Sequence, residues 1–211
     1  MAIMYPIYHI FNNMIFSESK PFEFRTKLPK NLKVGDKILI YEPVKYGGSG
    51  MVVGEFTVGD IIKCDYVFGA CNFIVHFCKN VLNNEEYAQK FERALNAPKT
   101  NYKRGSQIKF ALDDESMDYI YQNKTWPNPE EYVLDKMRLA NIDEAEHVWR
   151  MCDKWLSEIG FYDSWGDSNY EYALAIANPI KYVTPKRIGE YTKINGQPII
   201  KAPQSFVYVK T

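Results

Sequence analysis

The order in which patterns follow one another constrains this chain more than any single motif. Stretches with β character fill the first third and return only near the end, and the sequence between them has helical spacing. In Pro21–Thr26, Phe22 and Phe24 alternate with Glu23 and Arg25, which gives a strand with one apolar and one charged face. Lys37–Glu42 and Met51–Val58 read as further strands, and Ile61–Phe68 as a continuation of the sheet. Tyr170–Ala177 and Ser205–Lys210 restore the β pattern. A strand pair standing alone is marginal in water, so the closing strands must pair with the early ones. Several short strands separated by turns point to a barrel or a sandwich, and strands followed by helices and strands again form the pattern of an insertion into a barrel. The expected architecture is therefore a single α+β domain. A mixed β-barrel core comes from about 1–80 and 168–211, interrupted by a helical insertion over about 82–167.

Other segments are read locally. Residues 2–16 are too densely apolar to show a period, and Pro6 is expected to open a short helix running to Ile15. Gly35-Asp36 is a turn, and Tyr46–Gly50 is a hairpin tip that lacks the Gly-Lys-Ser/Thr of a phosphate loop. Asn178–Pro203 reads as a loop. Within the insertion, Asn84 caps a helix carrying Ala88, Phe91, Ala94 and Leu95, and a short helix covers Asp114–Gln122. Asn128-Pro129 opens a helix with Val133, Met137 and Ala140. Asp143 opens a longer one whose stripe runs from Ala145 through Val148, Trp149, Cys152, Trp155 and Leu156 to Ile159, with Gly160 ending it.

The net charge of zero hides a division. Residues 82–167 hold 17 acidic and 11 basic side chains, whereas the rest holds 9 acidic and 15 basic. A basic core suits a phosphate backbone, and it is also ordinary surface chemistry. No apolar run reaches the ~20 residues that span a bilayer, and the first residues lack a basic start and a cleavage site, so a cytoplasmic protein away from the membrane is expected. Cys64, Cys71 and Cys78 are spaced seven apart near His76, without a Cys-x-x-Cys pair. They and Cys152 read as buried free thiols rather than metal ligands, and neither a metal nor a cofactor is expected. His147 reads as a structural or solvated helical histidine.

Glu23 and Arg25 are two apart on a strand and share a face, and Lys20 precedes them on the same side. Two cations beside a carboxylate form a polar cleft, or else an ordinary ion pair at a sheet rim. The run Ser17-Glu18-Ser19-Lys20-Pro21-Phe22-Glu23-Phe24-Arg25 resembles the opening Gly-x-Lys-x-x-Glu-x-Arg of the ASCH family, a branch of the PUA-like superfamily, with Glu18 in place of the glycine. VGDKILIYEP, GMVVGEFTVGDI, YALAIANPIKY, PKRI and APQSFVYV resemble later blocks of that family in the same order.

That resemblance implies a PUA-like barrel with a cleft beside the Lys-x-x-Glu-x-Arg strand and an RNA- or nucleotide-binding role. In such a cleft Arg25 or Lys20 would hold phosphate, Glu23 would accept from an exocyclic amino group, and Tyr41 or Phe206 would stack on a base. Ser205 and Gln204 are further candidates, as is Glu55. A second reading is a hydrolase acting on RNA or acylated nucleosides, with Lys20 and Glu23 as its catalytic residues. Superfamily members that deacylate nucleosides use Lys and Thr in this motif, and here Glu23 stands at the Thr position. A third reading is a regulatory module that meets a protein partner through the acidic insertion.

Overall fold

The computed structural model describes residues 2–64, 68–96, 145–161 and 170–210. Two compact units are present, one formed by residues 1–64 with 154–211 and the other by residues 65–153.

In the first unit, strands β1 (Ala2–Pro6), β2 (Phe22–Arg25), β3 (Lys37–Tyr41), β4 (Met51–Lys63), β5 (Tyr172–Arg187) and β6 (Val207–Val209) form one sheet in the order β2-β5-β4-β3-β1-β6. The strands from the two ends of the sequence thus belong to one sheet. The β1–β3 pair is parallel and the other pairs are antiparallel. Among the described residues β2 and β6 do not pair, so the sheet is open where a small mixed barrel was expected. The sheet nevertheless curls, because the Arg25 side chain on edge strand β2 donates to the Pro6 carbonyl at the end of β1, 3.0 Å away. That carbonyl lies four positions along in the strand order.

Burial explains why the N-terminal period was unreadable. Ala2, Ile3, Met4 and Tyr5 are all buried, two on each face, as a central strand of a covered sheet requires. Ile3, Tyr5 and Ile7 join Ile15, Ile38, Ile40, Phe56, Val58 and Leu174 inside the curl. Ala2 and Met4 join Leu39, Tyr41, Val52, Ile199 and Val209 on the other face. Pro6 ends β1 and does not open a helix; helix α1 begins at His9 and runs to Phe16.

β5 is longer than its sequence pattern, and part of the expected 178–203 loop belongs to it. Asn178 adopts a left-handed φ of 49°, and the register with β4 shifts between Glu55 and Thr57, so Asn178-Pro179 forms a bulge. A second shift places Val52 opposite Lys186 and Gly54 opposite Lys181, which inserts Tyr182–Pro185 as a wider bulge. Bulges accommodate Pro179 and Pro185 without the loss of a ladder hydrogen bond. The alternation breaks at each bulge, which hides the strand from a periodicity reading.

In the second unit, α2 (Phe68–Asn80) follows β4, so the sheet stops at Lys63 and does not continue to Phe68. Helix α3 (Glu85–Asn96) starts as expected, with the Asn84 side chain accepting from the Tyr87 N–H at 3.0 Å. The unit boundary falls within α4 (Ala145–Glu158). Gly160, with a φ of 82°, follows this helix as its sequence stop. The expected helices at 114–122 and 128–140, the Asp143 cap and Cys71 lie outside the described residues or side chains.

Candidate functional site

The strand β2 directs Glu23 and Arg25 into the curl, toward β1. The Arg25 guanidinium is held from three sides. It pairs with the Glu23 carboxylate at 2.8 Å, donates to the Pro6 carbonyl at 3.0 Å, and lies over the Tyr5 ring with its central carbon 4.2 Å from the centroid. Both charged side chains are largely buried. A planar guanidinium fixed by a carboxylate and a carbonyl has its remaining N–H groups aimed in defined directions. The Arg25 Nε and the Tyr5 hydroxyl are buried and have no hydrogen-bond partner among the described residues.

Burial pushes the Tyr5 hydroxyl up to about 12; Arg25 opposes that shift, while Glu23 and Tyr208 add to it. At neutral pH the hydroxyl is therefore protonated. Phe206 meets Tyr5 edge-on at 6.2 Å and Tyr208 edge-on at 5.7 Å, and both are half-buried. The cluster thus combines a fixed cation, a fixed carboxylate and an unpaired hydroxyl with a partly exposed aromatic edge.

Lys20 has different surroundings. It is 2 % exposed. Its ammonium donates to the Ile159 carbonyl just beyond α4 and sits 4.7 and 4.5 Å from the Phe11 and Phe24 ring centroids. A cation at a helix C-terminus meets carbonyls that the helix leaves unpaired. Burial pulls Lys20 down to about 8; the Glu23 charge resists this, and the Arg25 charge adds to it. Glu23, Arg25 and Lys20 thus share one electrostatic environment, although Lys20 has a carbonyl and two rings as its contacts.

The other sequence candidates are dispersed. Tyr41 packs with Ile199 and Val209 on the opposite face of the sheet from Tyr5. Glu55 accepts from Lys37 at 2.6 Å and from the Tyr182 hydroxyl. Burial alone would raise the Glu55 pKa, but these partners hold it below its ordinary value. Gln204 and Ser205 are exposed in the segment before β6, and Phe206 alone of that group reaches Tyr5. His147 is exposed on α4, and His76 contacts Asn80 at 3.2 Å. Among the described residues no group of three or more His, Cys, Asp or Glu side chains is arranged to hold a metal ion, and no helix is long and apolar enough to cross a membrane.

Two groups escaped the sequence reading. One is Tyr5, hidden by the unreadable period of β1. The other is Glu42, which is buried and accepts from His9 Nδ1 at 2.8 Å, Asn12 Nδ2 at 3.1 Å and the Ser49 N–H at 2.8 Å. Burial would raise its pKa, and these donors outweigh burial and hold it low. The sequence signal was a glutamate ending an apolar strand just before a glycine-rich turn, where the turn's backbone can donate back to it.

Several solved structures are similar to this chain. The crystal structure of ASCH from Zymomonas mobilis matches with 13 % identity and a TM-score of 0.40, covering 99 % of this chain and 87 % of that one. A tyrosine-to-phenylalanine variant of the same protein matches with 15 % identity and a TM-score of 0.37, covering 99 % and 90 %. A serine-to-alanine variant matches with 14 % identity and a TM-score of 0.38, covering 99 % and 88 %. No protein-family model and no curated protein matches the chain.

Proposed function

We propose that the Tyr5–Glu23–Arg25 cluster binds a nucleotide or one splayed-out nucleotide of single-stranded RNA, without catalysis. The observation that carries this reading is a pair of buried polar atoms, the Tyr5 hydroxyl and Arg25 Nε, that have no hydrogen-bond partner among the described residues and lie beside the half-buried rings of Phe206 and Tyr208. Buried polar groups are costly unless paired, so such a pair is suited to a ligand with its own donors and acceptors. Arg25 offers N–H groups to a phosphate or base edge, Glu23 keeps lone pairs for an exocyclic amino group, and Phe206 offers an aromatic surface. The Lys-x-x-Glu-x-Arg resemblance points in the same direction. Lys20 serves this site from beneath, by tying the end of α4 to β2.

A hydrolytic role for Lys20 and Glu23 has less support. The Lys20 ammonium is buried against a carbonyl, and the Glu23 carboxylate is paired with Arg25. The protein-interaction reading rests on two stripes, one expected at 128–140, outside the described residues, and one on α4, where Val148, Trp149, Cys152, Trp155 and Leu156 are buried.

The test is titration of a nucleoside monophosphate and of labelled single-stranded RNA into the wild type, Tyr5→Phe and Arg25→Ala, with circular dichroism confirming the fold. Arg25→Ala is expected to weaken both ligands by about tenfold or more, and Tyr5→Phe by a smaller factor, as the loss of a charged and a neutral hydrogen bond require. Equal affinities for all three proteins would remove the cluster from the binding site. Cleavage of the RNA by the wild type would overturn the non-catalytic reading.

A further inference from the structure

The C-terminal part of the chain carries a charge excess that the cluster above does not use. Residues 172–210 contain six cations, Lys181, Lys186, Arg187, Lys193, Lys201 and Lys210, against a single carboxylate, Glu190. Among the described residues none of the six forms an ion pair, whereas Lys37, Lys79, Lys90 and Lys154 each do. Glu190 itself accepts from the Arg187 backbone N–H at 2.7 Å.

Three of these cations are close in sequence and straddle the edge of β5, Lys181 lying over the Phe16 ring on one face of the sheet and Lys186 over the Tyr182 ring on the other. Lys181, Lys186 and Arg187 are exposed within seven residues of distal β5. They flank the wide bulge whose Val183 is fully exposed. β2 pairs with β5 only over Tyr172–Ala175. Beyond Ile176 the edge of β5 on that side carries no partner strand among the described residues. Lysine and proline on a free edge discourage strand pairing, which accounts for Pro179, Lys181 and Pro185. It does not account for a whole 39-residue segment with one acidic side chain in a chain whose overall charge is zero.

We propose that the Lys181–Lys186–Arg187 edge of β5 is a phosphate-backbone track for single-stranded RNA, which extends the strand whose terminal nucleotide occupies the Arg25 cluster. This rests on the proposed function, since Arg25 on β2 stands opposite the start of β5 and the three cations lie on its distal part. Arg25 pairs with Tyr172, and Lys181 is nine residues further along, or roughly 30 Å at strand spacing. A stacked strand with one charge per 3.4 Å covers that span in on the order of nine nucleotides. The track therefore acts on long strands and not on short ones.

The experiment compares the wild type with the triple variant Lys181→Gln/Lys186→Gln/Arg187→Gln. Its probes are a nucleoside monophosphate, an RNA of about four and one of about fifteen nucleotides, chosen to fall short of and exceed that span. Vesicles of neutral lipid and of neutral lipid with phosphatidylserine serve as a further polyanion. The longer RNA is expected to lose affinity in the variant. The slope of log affinity against log salt should fall by about 2, from three contacts at ~0.7 each, while the two short probes bind unchanged. Unchanged binding of the longer RNA, with the short probes still bound, overturns the track and leaves the nucleotide site standing. Equal loss for every probe also overturns it, since the variant then acts through the fold. If the monophosphate fails to bind the wild type while the longer RNA binds and is weakened in the variant, the nucleotide site fails and the basic edge stands. Failure of every nucleotide probe, or charge-dependent binding of the acidic vesicles alone, overturns both.

Discussion

At the scale of single residues, the site is a balance between one buried ion pair and the groups it leaves unpaired. Glu23 and Arg25 meet at 2.8 Å with side chains 8 % and 16 % exposed. Loss of one member strands the other as a buried charge, a change that typically costs about 3–5 kcal/mol, whereas loss of both is far less damaging. Arg25→Met is thus expected to lower the urea midpoint strongly, and Glu23→Gln/Arg25→Met to recover most of the loss. A double variant as unstable as the single one would mean that packing of Arg25 over Tyr5, and not charge, supports the fold. Tyr5→Phe follows the opposite logic. Its hydroxyl has no partner among the described residues, so its removal is expected to leave stability unchanged or raise it by up to ~1 kcal/mol while ligand binding falls. A substantial loss of stability would show that the hydroxyl is paired within the protein.

At the scale of elements, the sheet depends on close approach at one point. A Cβ at Gly54 on β4 would fall on the Ile180 carbonyl oxygen and the Phe16 ring. One clash is with the backbone of the neighbouring strand, so it is not relieved by a rotamer change. Gly54→Ala is expected to destabilise by about 1–3 kcal/mol or more in denaturant unfolding. Gly189→Ala, which meets nothing nearby, serves as the neutral comparison.

The same stretch shows how far the sequence could be read. β2 was legible because its apolar and charged residues alternate, β3 and the start of β4 because the Gly35-Asp36 turn and the Tyr46–Gly50 hairpin tip bound short apolar runs, and the Asn84 and Gly160 helix boundaries because capping is local chemistry. β1 was not legible because burial on both faces erases the period. Distal β5 was not because two bulges reset its phase. For the site, adjacent residues carried Glu23 and Arg25. Tyr5 and the Pro6 carbonyl came only from the curl of the sheet, which brings β1 to β2 although they are separated in the strand order. Tyr41 was misleading for a different reason: it alternates with Ile38 and Ile40 along β3, so with Leu39 it faces the opposite core.

At the scale of the whole molecule, buried charge sets how stability depends on pH, and the two limbs have different sources. Glu42 and Glu55 have pKa values below their ordinary 4.5. Their contribution is present above that value and is lost as pH falls through the folded pKa, which gives an acid limb. Lys20 acts at the other end. Its pKa is about 8 in the fold against 10.5 in the unfolded chain. Below pH 8 both states carry the proton and the full cost of burying the ammonium is borne. Between 8 and 10.5 the folded protein releases the proton while the unfolded chain keeps it, so stability rises with pH. The shift corresponds to ~3 kcal/mol at 1.36 kcal/mol per unit. Other groups also titrate in this range; Tyr5, raised to about 12, works in the opposite direction above pH 10. A difference measurement between wild type and Lys20→Met removes these shared terms. The stability of the wild type relative to the methionine variant is expected to improve by about 2–3 kcal/mol between pH 7.5 and 10.5 in chemical denaturation. A constant difference across that range would mean that Lys20 stays charged in the fold. The Ile159 carbonyl and the two rings would then solvate the ammonium nearly as well as water does, and the lysine would be a true cationic cap on α4.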